Sequence, residues 1–277
     1  LKVPASLKVR VLTALVILPA TLAVVFLTPA WAFRLVVTLV LLMGSLEFRS
    51  LAGLTPAAGW GLFGLQAVIL ALLHLTWPGL RADAILLLAV GCITWLLMFT
   101  RLWGYRDSQG PDDSYRRLSF ISALATVTFC WIALIWLRER PQGALVVFLL
   151  LLVIWASDVG AYFAGSLFGK HKLAPAISPK KTWEGVFGGI VLAQAAAFLY
   201  TYAIAGLAVA PAAVVVTTLA TTLASIGGDL FISVHKRTVQ LKDTGTLFPG
   251  HGGVLDRYDS LLAGSPFFAL ALGVLTL

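Results

Sequence analysis

Residues Gly143–Phe168 read GALVVFLLLLVIWASDVGAYFAGSLF, and residues Gly169–Lys181 read GKHKLAPAISPKK. The first stretch holds a single charge, Asp158, and is long enough to cross a hydrocarbon core of about 30 Å as a helix. The second holds Lys170, Lys172, Lys180 and Lys181 and belongs outside that core. Apolar runs closed by short polar connections recur along all 277 residues, of which 60% are hydrophobic and 12% charged. Soluble domains carry about a quarter charged residues, so this chain has too little polar surface to cover a water-soluble globule. Lipid cannot satisfy open backbone groups, and the short alternating segments of a barrel are absent. The fold class is therefore all-α, a polytopic membrane protein with about nine transmembrane helices. No internal repeat, low-complexity linker or soluble segment interrupts the pattern, and residues 1–277 read as one integral membrane domain.

Outward from Gly143, spans are expected at 118–137, 84–102, 59–77, 33–51 and 11–27 on one side. On the other side, helices open at Thr182–Trp183, cover 211–234, and begin again at Tyr258. Leu1–Arg10 is a basic arm, and the run after it reads as a retained anchor, being long for a signal core and followed by many more spans. Thr182 is expected as an N-cap, with Glu184 in the first turn where the helix dipole favours an acid. Tyr105–Arg117, with mixed charges and Gly110-Pro111, reads as a solvated loop, and Asp112-Asp113 as ordinary loop acids. Glu47 and Arg49 read as interfacial charges, with a place at the rim of a site left open. Cys92 and Cys130 fall inside apolar runs and read as buried small hydrophobes, suggesting neither a disulfide nor a metal site.

Over alternate connections, sixteen of the twenty Lys and Arg lie on the side of the N-terminal arm, and Arg34, Arg81, Arg138 and Arg140 lie on the other. The positive-inside rule puts the sixteen in the cytoplasm. The loops bearing Lys180-Lys181 and Lys236-Arg237 then share a face, so one site can draw on both. Taken alone, these cations and the net charge of +8 are explained by topology and by attraction to anionic headgroups, at about 1 kcal/mol per charge. No nucleic-acid partner is expected. Asp158 lies deep in its span, where an unpaired carboxylate costs several kcal/mol. Its role is open between function and partnering a cation.

The densest polar stretch is Ser225–Ser260, SIGGDLFISVHKRTVQLKDTGTLFPGHGGVLDRYDS. Pro249-Gly250-His251-Gly252-Gly253 lets backbone approach a ligand and aim amides at phosphate oxygens. Helical spacing puts Ser225, Asp229, Ser233 and Lys236 on one face, and a polar stripe on a membrane helix should face a cavity. Asp229, late in one helix, and Asp256, ahead of the next, would supply two hard oxygen ligands if those ends meet. Mg2+ suits one or two carboxylates plus substrate phosphates. The bland alternative is that Asp229 and Lys236 simply pair within the bundle.

This stretch resembles the signature of the phosphatidate cytidylyltransferase family, whose pattern runs Ser, Lys-Arg, Lys-Asp, Pro-Gly-His-Gly-Gly, Asp-Arg, Asp. The resemblance extends to Asp158–Gly165, to GKHKLAP and SPKKTWEG between Gly169 and Gly185, and to the basic arm and multi-span layout, with a signature and active-site region at 155–260. It implies that CTP and phosphatidic acid react to give CDP-diacylglycerol and pyrophosphate in phospholipid biosynthesis, in a bacterial inner membrane with the N-terminus and site loops cytoplasmic. It also implies a divalent metal on Asp229 and Asp256, K+ as a second cation near the same acids, and a homodimer. On this reading Asp229, Asp256 and Lys236 are catalytic. Substrate would be held by Ser178, Lys180, Lys181, Ser233, Arg237, Lys242, Asp243, His251, Gly252, Gly253 and Arg257.

Two positions depart from the family pattern. Ile232 stands where members commonly have Glu before the signature serine, and Gln240 stands where they commonly have Gly. The first puts a second cation site in doubt and the second the loop path. Three other classes compete: a CTP-dependent enzyme using another membrane lipid acceptor, an anionic-solute transporter, and a catalytically silent membrane partner. A transporter usually shows repeat symmetry, which this chain lacks.

Overall fold

A computed structural model describes residues 5–103, 105, 110–250 and 252–276, with side chains from residue 13 onward. Among these residues the fold is helical apart from one short hairpin. The helices are α1 (Ala5–Leu27), α2 (Ala30–Leu51), α3 (Pro56–Leu80), α4 (Ala84–Trp103), α5 (Asp113–Arg138), α6 (Gly143–Phe168), α7 (Trp183–Phe198), α8 (Pro211–Thr238) and α9 (Leu255–Leu275). The basic loop after α6 is not wholly irregular: β1 (Lys172–Ala174) and β2 (Ser178–Thr182) pair antiparallel, with Ala174 opposite Ser178 and Lys172 opposite Thr182. After α7 the helix widens into a π turn at Leu199–Ile204.

Among the described residues, length and composition identify seven apolar segments able to cross a membrane, one of them the 48-residue Pro56–Trp103 that joins α3 and α4 through a 3-10 turn at Arg81–Asp83. The apolar part of α1, Thr13–Leu27, is shorter. The long segment folds back on itself. Gln66 of α3 donates to Thr128 Oγ1 of α5 at 3.1 Å, and Gly91 of α4 packs against Phe129, so the middles of both helices meet α5 at one level.

Helix ends differ from the hydropathy reading where polar side chains extend them. Asp112, expected in a solvated loop, is the N-cap of α5, its carboxylate accepting from Tyr115 N at 2.6 Å. The Tyr115 hydroxyl then donates to Leu51 O at 2.6 Å, tying α5 to the end of α2. α8 continues past Val234, bringing His235, Lys236 and Arg237 into a last turn whose dipole favours cations. α9 begins at Leu255 rather than Tyr258, so Asp256 lies in its first turn rather than before it. Thr182 caps α7 as expected, accepting from Gly185 N at 3.2 Å.

The two ends of the bundle are chemically distinct. At one, Arg34 pairs with Glu139, Trp77 Nε1 donates to Glu139 Oε2 at 2.8 Å, and Arg138 donates to Thr28 O at 2.7 Å. At the other lie the hairpin, the end of α8 and the start of α9. Between them Trp77, Trp95, Trp131, Phe231 and Phe268 are fully buried, and both cysteines are buried and free.

Candidate functional site

The site is built on close helix packing. A Cβ at Gly228 of α8 would fall 2.7 Å from Asp259 O and 2.8 Å from Ala263 Cβ of α9, and one at Gly264 would fall 2.5 Å from Ser225 Oγ. Small residues thus let the two backbones approach, as membrane helices commonly do. A second tight seam joins α6 to α7, where a Cβ at Gly189 would fall 2.9 Å from Ser157 O. These seams bring α6, β2, α8 and α9 to one place. The face expected from spacing, Ser225, Asp229, Ser233 and Lys236, is turned toward it.

Two lysine–carboxylate pairs occupy the site. Lys181 Nζ, presented by β2, lies 2.6 Å from Asp229 Oδ2, and Asp229 Oδ1 accepts from Ser233 Oγ at 3.2 Å. Lys236 Nζ lies 2.9 Å from Asp256 Oδ1. The second oxygen of Asp256 accepts from Thr244 N at 2.7 Å, Thr244 Oγ1 at 3.0 Å and Gly253 N at 3.0 Å. The Asp256 side chain is only 5% exposed, so removing its lysine would strand a buried charge. The pairing of Lys236 is thus with Asp256, not with Asp229 on its own helix.

The glycines of the turn serve these carboxylates. Gly252 has φ +79°, and a Cβ there would strike the Asp256 carboxylate, while one at Gly253 would strike that of Glu47. Backbone therefore folds directly over two acids, and the Gly253 amide is engaged by Asp256. Glu47 reaches from α2 to the start of α9: Oε1 accepts from Val254 N at 2.8 Å, and Oε2 accepts from Leu255 N at 2.9 Å and Thr244 Oγ1 at 2.8 Å. It satisfies amides that every helix N-terminus leaves open.

A cavity of about 240 Å³ lies beside Asp229, where Ser157, Asp158, Lys180, Lys181 and Ser260 stand among apolar residues such as Leu173, Val186 and Ile226. Asp158 is the electrostatic neighbour of Asp229, Lys181 and Arg257, and Asp259 that of Asp229, Lys181 and Lys236. Asp158 thus comes to the site together with its cation. Ser178 opens β2 opposite Ala174 and does not line the cavity. Arg237 turns toward the hairpin, its Nε donating to Ile177 O at 3.2 Å. Lys242, Asp243 and Arg257 are exposed and do not line the cavity, and His251 lies outside the described residues.

A sequence model of the cytidylyltransferase family matches residues 8–275, which take in all of these groups. The chain belongs to the cytidylyltransferase family. It is 40% identical over 269 residues to a phosphatidate cytidylyltransferase of Pseudomonas aeruginosa, covering 96% of this chain and 97% of the relative. The Haemophilus influenzae phosphatidate cytidylyltransferase is 33% identical over 281 residues, covering 95% and 97%. That of Bacillus subtilis is 37% identical over 216 residues, covering 76% and 78%.

In this cytidylyltransferase the two departures from the family pattern differ in setting. Ile232 is fully buried in the apolar core, one turn past Gly228 on the same face of α8. Gln240 has φ +56° and keeps the left-handed turn that a glycine would adopt without strain. The donor set also bears on a cation. Asp158, Asp229, Asp256 and Asp259 outnumber the cations among them, Lys181, Lys236 and Arg257, by one, and Ser225 Oγ is buried without a partner one turn below Asp229. Surplus negative charge and hard oxygens fit Mg2+. Among the described residues no three His, Cys, Asp or Glu side chains converge as a complete cage, which leaves coordination positions to substrate phosphates.

Four contributors were not singled out from the sequence as site residues: Glu47, Asp158, Thr244 and Asp259. Three had a visible signal. Glu47 and Asp158 are acids within spans, and Asp259 falls one turn after Asp256 in the densest polar stretch.

Proposed function

We propose that this cytidylyltransferase joins CTP to phosphatidic acid, giving CDP-diacylglycerol and pyrophosphate, at the ends of α8 and α9. One observation carries the reading: Asp229 and Asp256, on adjoining helices, each engage a lysine, and the Lys181–Asp229 pair lines a cavity walled in part by a basic hairpin. The relatives bearing the name phosphatidate cytidylyltransferase support it. A lipid phosphate oxygen bonds to the α phosphorus of CTP, the bond from that phosphorus to the α–β bridging oxygen breaks, and pyrophosphate leaves with the oxygen. The nucleophile is already anionic near neutral pH, so the protein positions groups and neutralises charge.

Lys181 and Lys236 would turn from their carboxylates to substrate phosphates, with Lys180, Arg237, Lys242 and Arg257 supplying cations at the rim. Ser178, Ser233, Asp243 and the Gly252-Gly253 turn would shape the same pocket. Asp229 and Asp256 would hold Mg2+, which would supply charge neutralisation on the CTP phosphates when bound. K+ beside these acids and a homodimeric assembly belong to the proposal through the family resemblance alone. The charge count supports a cytoplasmic site, which we place in a bacterial inner membrane.

The test is pyrophosphate release by detergent-purified protein given CTP, phosphatidic acid and Mg2+, beside Asp256→Asn. Release should need both substrates and fall at least a hundredfold in the variant. Wild-type protein that binds CTP but releases nothing with phosphatidic acid would move the reading to another lipid acceptor.

A further inference from the structure

A second cavity, of about 330 Å³, lies between α1, α2, α6 and α9, and it is almost wholly apolar. Val16, Ala20 and Val24 line it from α1, and Val36, Val37 and Val40 from α2; each set recurs at helical spacing and forms one face. The two polar side chains in the lining are Thr21 and Tyr258, among fifteen other residues that are all apolar. At about 330 Å³ it is too small for a helix, whose diameter with side chains is about 10–12 Å, and its apolar lining suits a hydrocarbon chain.

Its upper wall is part of the candidate site. Phe248 and Tyr258 line the cavity and flank Asp256 in sequence, and Phe248 N donates to Gly252 O at 2.9 Å, closing the turn that covers the Asp256 carboxylate. Thr13 Oγ1 donates to Pro249 O at 2.9 Å and locks α1 onto the same turn. From Val16 to Val25 the α1 wall descends about 13 Å, down to the end of the bundle where Arg138 lies over the Phe33 ring. At the lower end stand Val25 and Phe33, each 2% exposed.

We propose that this cavity holds one acyl chain of the phosphatidate substrate, with Phe33 as the floor that limits its length. The assignment rests on the phosphatidate reading above. A chain leaving the bilayer for the cavity gains no hydrophobic free energy, because lipid is as apolar as the lining. The cavity therefore selects by admitting or refusing a chain, and filling it should discriminate by chain length.

The experiment compares wild type, Ala20→Trp and Val37→Phe, which fill the space from opposite walls, with Leu86→Trp on an exposed face of α4 as control. The expected result is a tenfold or greater loss of kcat/KM for dioleoyl phosphatidic acid in both filling variants, with dihexanoyl phosphatidic acid and the control unaffected. In parallel, phosphatidic acid carrying a diazirine on one acyl chain is crosslinked and mapped. Labels should fall on the α1 and α2 linings, be competed by unlabelled phosphatidic acid, and vanish in Ala20→Trp. Equal losses for both chain lengths, or equal labelling by diazirine phosphatidylcholine without competition, would make the occupant a bystander lipid and overturn the proposal. Specific, competed labelling in a protein that releases no pyrophosphate would instead overturn the reaction and keep the acyl site.

Discussion

Replacing Glu47 by Gln tests whether α2 holds the start of α9. The amide keeps the shape of the side chain but turns one oxygen into a donor, while all three of its partners, Val254 N, Leu255 N and Thr244 Oγ1, are themselves donors. In the least costly orientation the remaining oxygen keeps Leu255 N and Thr244 Oγ1 and the new NH2 faces Val254 N. Two charge-assisted bonds then become neutral, at about 1 kcal/mol each, and one part-buried amide is orphaned, at about 1–3 kcal/mol. The sum is about 3–5 kcal/mol, or a melting point lowered by roughly 10 °C in detergent. Because Thr244 also bonds Asp256, activity should fall with stability. Arg49→Gln is the control, since Arg49 stacks over Trp60 at 5.7 Å, a contact worth about 1 kcal/mol or less. A Glu47→Gln protein that melts within about 2 °C of wild type and is fully active would refute this account of how the site is held.

Other perturbations separate the remaining groups. Lys181→Gln should cut pyrophosphate release at least tenfold while costing under about 1 kcal/mol of stability, because the Lys181–Asp229 pair is a quarter to a third exposed; a larger melting shift than activity loss would reverse the assignment. Gly252→Ala should abolish release, since the added methyl meets the Asp256 carboxylate in a left-handed turn; full activity would contradict the described fold of that turn. Gln240→Gly should relieve strain, raising stability by up to about 1 kcal/mol in a thermal melt without changing kcat.

The helical architecture was legible because hydrocarbon imposes a strong filter: α6 has the limits read from its apolar run, and α4 differs by one residue. Helix starts fixed by polar chemistry were read less well. Asp112 looked like a loop acid because a cap and a solvated aspartate have the same sequence neighbours, and only the bond to Tyr115 N distinguishes them. The polar face of α8 followed from spacing, but its partners did not. Lys181 and Asp229 lie 48 positions apart in sequence, and nothing local says which lysine meets which acid. Glu47 was the hardest, because its three partners begin almost two hundred residues downstream.

That separation has a consequence for biogenesis. Glu47 and Val254 are 207 residues apart, so at about 5–20 residues per second a ribosome finishes Glu47 roughly 10–40 s before its partner. Through that interval a carboxylate near the end of α2 has no helix terminus to hold, and the nascent chain must keep it at the water interface. The start of α9 is therefore what occupies this carboxylate of α2, and a chain released before α9 carries no closed site.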